Sequence, residues 1–259
     1  MTNPTRNVRF RKFRRAAVVT CLIAFAGLGL AVAARRASGN LGTIEPDRVY
    51  RSAQLTPAQL IDVVGRHHVK TILNLRGSNP DQSWYNQEVS TAMDCGVNHV
   101  SIPVASDQWL SHEQVETLLQ VLDNAEYPML VHCEFGAERT GLVSAIIALL
   151  RPKSTLQDGY NQFTAAHMFL PVKDGLVMLG HIQKYESWLK ASGKIHDPAQ
   201  FCQWLREIYT PEKPSREYWP CSPYPRKVVW SPGGPDGPDR SEELSSNPCP
   251  KAEGNRPSR

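Results

Sequence analysis

The sequence predicts an α/β fold: a central, largely parallel sheet flanked by helices, preceded by a membrane helix and followed by a disordered C-terminal tail. Three observations carry this. Short β-rich apolar runs alternate with segments of helical period between residues 45 and 210, the pattern of strands joined by crossover helices. Residues 16–34 hold nineteen consecutive uncharged positions. Residues 211–259 are rich in Pro, and from Ser231 the chain is Pro, Gly, Ser and charge, too poor in apolar side chains to order itself.

The 259 residues, 41% hydrophobic and 21% charged, allow one domain of moderate size plus extensions. Net charge is +4, but its distribution matters more. Residues 1–15 carry Arg6, Arg9, Arg11, Lys12, Arg14 and Arg15 and no acid, and the remainder is close to neutral. Nothing beyond this basic stretch argues for nucleic-acid binding. At about 1.5 Å per residue, segment 16–34 just crosses the hydrocarbon core of a bilayer. Six basic residues before it outweigh Arg35 and Arg36 after it, which keeps residues 1–15 cytoplasmic and puts the rest outside the cytoplasm. An uncleaved signal anchor and a signal peptide cut at Ala31-Val32-Ala33 share this topology. The first leaves the domain on the membrane, the second periplasmic or secreted.

Residues 37–48 read as a connection, with Val49-Tyr50-Arg51-Ser52 as a first edge strand. Thr56 caps a helix that has Pro57 at its first position. Val69 to Leu75 is a β-rich run ending in Arg76-Gly77. A polar loop around Pro80 leads to an amphipathic helix over 83–95 with Gly96 as its C-cap. Residues 97–104 alternate like a strand, and Ser111 caps a helix to about Asn124 with Val115, Leu118, Leu119 and Leu122 on one face. Pro128 to Val131 reads as a buried strand and Leu142 to Leu150 as a buried helix. Helices over 155–167, 176–191 and 198–205 complete the domain.

Between that last strand and its helix lies Val131-His132-Cys133-Glu134-Phe135-Gly136-Ala137-Glu138-Arg139-Thr140-Gly141. A loop curling back to a helix N-terminus aims successive backbone N–H groups at one point, and the helix dipole adds positive potential there. A phosphate fits such a cradle over residues 134–139: Glu134, Phe135, Gly136, Ala137, Glu138 and Arg139. Arg139 can clamp two of its oxygens. The same field favours the Cys133 thiolate, and a nucleophile beneath a bound phosphate is a phosphoryl-transfer site.

His132-Cys133-x5-Arg139-Thr140-Gly141 resembles the signature of cysteine-dependent protein tyrosine phosphatases, and the short domain resembles their bacterial dual-specificity (atypical) branch. Tyr50-Arg51-Ser52 and Ile72-Leu73-Asn74-Leu75-Arg76 resemble further elements of that branch, over roughly residues 45–190. Arg51 and Arg76 either add positive potential near the pocket or make structural ion pairs beneath the loop. The resemblance implies a dual-specificity-phosphatase-like domain over 45–210, with Cys133 as nucleophile and a phosphocysteine intermediate. It implies that Thr140 bonds the sulfur and that His132 orders the loop, with no metal or cofactor needed. The family's proton donor is an Asp on a mobile loop. Asp107 occupies that place here, with Glu113 the weaker candidate in the following helical turn.

Glu134 and Glu138 set two carboxylates on the rim, which should repel polyanions. The substrate expected is therefore a phosphorylated protein bearing phosphotyrosine, with phosphoserine and phosphothreonine as further candidates. A phosphatase of inositol phosphates or phosphoinositides is the alternative, and a silent phosphate-binding module the third reading. Of six cysteines, Cys95, Cys202, Cys221 and Cys249 lie outside the membrane segment and the loop. An extracytoplasmic site permits disulfides among them, with Cys202–Cys221 the favoured pair. No Cys-x2-Cys pair or His cluster marks a zinc site.

Overall fold

The computed structural model describes residues 4–212 and 229–231, with side chains from residue 17 to residue 212. The chain divides into two compact units at residue 38. The first is a single helix, α1 (Pro4–Ala37). Within it Ala17–Ala37 is long and apolar enough to cross a membrane, with a mean hydropathy of 2.4. Its Leu22, Ile23, Phe25, Leu28 and Leu30 are exposed. The helix continues past residue 34 through Arg35 and Arg36, which occupy its last turn.

The second unit is built on six strands: β1 (Gly42–Glu45), β2 (Val49–Ser52), β3 (Thr71–Asn74), β4 (Asn98–Ser101), β5 (Met129–His132) and β6 (Val229–Ser231). They form one sheet in the order β1-β2-β5-β3-β4-β6. The four central strands are parallel, and β1 and β6 add antiparallel at the two edges. Every residue of β2, β3, β4 and β5 is buried, as a sheet covered on both faces requires. Alternation divides these side chains between two cores. Tyr50, Ile72 and Leu130 pack with Leu60 and Val63 of α2 (Pro57–His67) and Ala92 of α3 (Ser83–Asp94). Val49, Leu73, Val100, Met129 and Val131 pack with α4 (His112–Asn124) and α5 (Glu138–Leu150). Beyond α6 (Leu156–Tyr160), helices α7 (Asp174–Ser192) and α8 (Pro198–Gln203) thicken this second layer.

The helix starts follow from their caps. Thr56 with Gln59, and Ser111 with Gln114, each form a reciprocal capping box, so α2 and α4 begin where the sequence puts them. Three segments differ from expectation. Residues 37–48 contain β1, so β2 is an interior strand rather than the edge. Gly42-Thr43-Ile44-Glu45 has a single apolar anchor, Ile44, whose carbonyl accepts from Arg151 Nη1 at 3.0 Å, too little for periodicity to register. Residues 155–167 split into α6 and a 3₁₀ turn at Ala165–His167. There the Gln162 carbonyl accepts from Arg51 Nη1 at 2.8 Å instead of from a following helical turn. The tail contributes β6, a strand where disorder was expected; the rest of residues 213–259 lies outside the described residues. Cys202 is disulfide-bonded, and Cys221, its favoured partner, also lies outside them.

Because β2, β3, β4 and β5 run parallel, their following loops emerge at one sheet edge, where open α/β sheets bind ligands.

Candidate active site

Cys133 follows β5 directly, and the loop 133–137 delivers the chain into α5 at Glu138. Cys133 is buried. Burial alone would push its thiol up. The Arg139 guanidinium, the Thr140 hydroxyl and N–H, and the Gly136 N–H together outweigh that and hold it below the ordinary thiol range. The Thr140 hydroxyl is fully buried with no conventional hydrogen-bond partner among the described residues, and its effect falls on the sulfur.

Three consecutive loop carbonyls are turned away from Cys133. Glu134 O accepts from Gln54 N at 3.2 Å. Phe135 O accepts from Asn40 Nδ2 at 2.9 Å. Gly136 O accepts from Arg51 Nη2 at 2.9 Å and from Asn40 Nδ2 at 3.3 Å. In a trans peptide the N–H points opposite to the C=O, so the N–H groups of Phe135, Gly136 and Ala137 face the other side, where the sulfur lies. This is an anion-binding nest. Gly136 makes it possible: its φ is +68°, and a Cβ there would sit 2.6 Å from the Ser52 carbonyl and the Ala53 nitrogen. Arg139 is buried behind the nest, while Glu134 and Phe135 are exposed on the rim and Glu138 is half-buried. Glu134 Oε2 stands 4.0 Å from Arg139 Nη2.

His132 lies beneath the loop. Its Nε2 is 3.0 Å from Glu88 Oε1 and its Nδ1 is 3.3 Å from the Cys133 carbonyl oxygen. Glu88 Oε1 also meets His99 Nε2 at 2.8 Å, and Gln54 Nε2 donates to Glu88 Oε2. Burial alone would push the Glu88 carboxyl up, but the two imidazoles hold it well below the usual carboxylate range. Burial would likewise lower His132, and Glu88 raises it.

Asp107 is half-buried in the turn between β4 and α4. Two strand spacings separate β4 from β5, roughly 10 Å, so its loop shares an edge with the nest. That loop is pinned on both sides of Asp107. Ser106 Oγ donates to Asp174 Oδ2 at 2.9 Å. Trp109 packs on His181 with ring centroids 4.4 Å apart and the planes tilted by 31°. Leu110 N donates to His181 Nε2 at 3.0 Å, and Leu110 O accepts from Tyr209 Oη at 2.8 Å. Burial lowers His181 to about 4, which keeps Nε2 free to accept. Glu113 is exposed in the first turn of α4.

The structure thus gathers Cys133, Arg139, Thr140 and His132 about one point and sets Asp107 at the same edge. Arg51 is fully buried and holds carbonyls beneath the nest. Arg76 lies to one side, 3.5 Å above the Trp84 ring and 3.0 Å from Gln54 Oε1. Sequence reasoning missed Asn40, Gln54, Glu88, His99 and His181. Only Glu88 left a signal: it shares the buried face of α3 with Tyr85, Thr91 and Ala92, an acid on an otherwise inward stripe.

The chain is similar to several known phosphatases. The chain is 33% identical over 113 residues to the dual specificity protein phosphatase TpbA of Pseudomonas aeruginosa, covering 43% of this chain and 47% of that one. It therefore spans about half the length of that relative. To the tyrosine-protein phosphatase-like protein OCA2 of Saccharomyces cerevisiae it is 28% identical over 168 residues, covering 63% and 82%. Among solved structures, TpbA in complex with phosphotyrosine superposes with a TM-score of 0.44 at 24% identity, over 65% of this chain and 89% of that one. The core catalytic domain of the Saccharomyces cerevisiae PP-IP phosphatase SIW14 gives 0.44 at 16% identity, over 60% and 93%. The model of the family described as DSP-PTPase phosphatase fused to NAD+ kinase matches residues 23–168, more than half of the chain. The protein accordingly belongs to this family of DSP-PTPase phosphatases.

Proposed function

We propose that the protein hydrolyses phosphotyrosine in protein substrates, and phosphoserine or phosphothreonine where they reach the sulfur, through a phosphocysteine on Cys133. The observation that carries this is the nest: three carbonyls tied away from the sulfur, with Arg139 behind. The Cys133 thiolate attacks phosphorus, and the bond to the leaving oxygen breaks as Asp107 gives that oxygen its proton. Three N–H groups and Arg139 hold the equatorial oxygens, where charge develops. Asp107, now a carboxylate, takes a proton from the attacking water. The sulfur–phosphorus bond breaks, the Thr140 hydroxyl stabilises the departing thiolate, and inorganic phosphate is released.

The rim favours a monophosphate on an apolar carrier. Glu134 is exposed beside Arg139 and repels further phosphates, whereas Phe135, 43% exposed, offers an aromatic surface to a phenyl ring. The N-terminal charge asymmetry supports a signal anchor with the catalytic domain outside the cytoplasm, or a periplasmic or secreted domain if the segment is cleaved. A disulfide at Cys202 fits such a compartment.

The test is phosphate release by the full chain in detergent, comparing a phosphotyrosine peptide with an inositol polyphosphate and using Cys133→Ser as blank. Peptide turnover lost in the variant is expected. Turnover of the inositol compound alone would replace this substrate class with the inositol phosphates.

A further inference from the structure

Beneath the nest, three ionisable side chains that the mechanism does not consume are buried together: His99, Glu88 and His132. Their geometry sets their protonation. Both ring nitrogens of His132 face acceptors, a carboxylate oxygen at 3.0 Å and a backbone carbonyl at 3.3 Å, so both must carry hydrogen. His99 is different: Nε2 donates to Glu88, while Nδ1 is buried with no partner among the described residues. Its Nδ1 therefore offers no second anchor, and the ring held at both nitrogens is that of His132. The Glu88 carboxylate thus faces the His132 imidazolium, and the cation adjoins the nucleophile in sequence and through its carbonyl.

We propose that Glu88 is a positioning residue that holds His132 as an imidazolium under Cys133, setting the ionisation of the sulfur from two residues away in contact. Charge alternates along the path from Glu88 through His132 to the thiolate, and each member favours the ionised form of the next. Glu88 also reaches the loop by a second route, since Gln54 donates to it through Nε2 and to the Glu134 carbonyl through its backbone N–H. The titratable or charged groups around Glu88 are His132 on β5, His99 on β4, Tyr85 on α3, edge-on to His99 at 5.7 Å, and Arg76 beyond Gln54. This inference rests on Cys133 as nucleophile but not on any substrate.

The experiment is the pH dependence of Cys133 alkylation by iodoacetamide in the full chain, with Cys133→Ser subtracting alkylation at every other cysteine. Alkylation needs no turnover, so it reads the sulfur even if the proposed substrate class is wrong. Glu88→Gln should raise the alkylation midpoint by about one pH unit, a roughly tenfold loss of thiolate below the midpoint. Glu88→Asp, which keeps the charge, should restore part of it. An unchanged midpoint in folded Glu88→Gln would overturn the proposal. Nitrogen NMR of His132 in the wild-type chain decides independently of variant folding: two protonated ring nitrogens at pH 7 support it, and a neutral ring at that pH overturns it.

Discussion

The loop carrying Cys133 and the loop carrying Asp107 leave the same sheet edge but are held in different ways. The phosphate loop is braced by charge: a guanidinium, a carboxylate and an imidazolium, buried on β2, α3 and β5. The acid loop is braced mostly by single contacts to the C-terminal layer: Ser106 donates to Asp174, Trp109 packs on a neutral His181, and Leu110 meets His181 and the Tyr209 hydroxyl. The difference follows from what each loop must do. A nest binding a dianion gains from fixed positive charge close beneath it, whereas a loop that presents a proton donor gains from contacts that fix its place. The resemblance leads one to expect a mobile acid loop, yet here both flanks of Asp107 are pinned.

The comparison can be broken most severely at Gly136. Gly136→Ala drives a Cβ into the Ser52 carbonyl and strains a left-handed residue, reorienting the N–H groups. kcat/KM should fall on the order of 100-fold or more, measured by steady-state kinetics on a phosphotyrosine peptide. Asp107→Asn should lower kcat by about 100-fold on the same peptide and far less on an ester whose leaving group needs no proton. Retained peptide turnover, with loss in Glu113→Gln instead, would move the acid to Glu113.

The two braces should also fail in opposite pH directions. His181 is lowered to about 4 by burial, against about 6.5 unfolded. The native state binds fewer protons there, so stability falls as pH drops from about 6.5 toward 4, by up to about 3 kcal/mol. His132 is raised by Glu88 against the cost of its burial. Its contribution is complete below about 6.5 and is lost as pH rises through the native value. Urea unfolding across pH 4 to 9 checks both, and His181→Phe, which keeps a ring against Trp109, should abolish the acid-side loss alone. A loss that survives in this variant would deny His181 the role. The smallest change belongs to the rim. Glu134→Gln should improve inositol polyphosphate turnover by only a few-fold, since an exposed pair contributes about 1 kcal/mol or less.

The elements between residues 49 and 150 were legible because each depends on neighbours in the chain. Capping boxes are closed by residues three apart, and β5 lies in a short apolar run that follows Pro128. Residues 37–48 and 155–167 were misread for the converse reason: β1 exists because β2 offers an edge, and α6 stops where Arg51 takes the Gln162 carbonyl. β6 likewise depends on the open edge of β4.

By itself the sequence determined the placing of Cys133, Arg139 and a helix start around one point, because all three lie within one short loop between β5 and α5. Only the tertiary structure decided what gives that loop its shape. Asn40 reaches Phe135 across 95 residues, Arg51 reaches Gly136 across 85, and Glu88 reaches His132 across 44. A hydrogen bond over such a separation leaves no periodic trace in the chain. It exists because a parallel sheet brings distant strand ends to one edge, where a buried carbonyl or carboxylate without a partner would be too costly to keep.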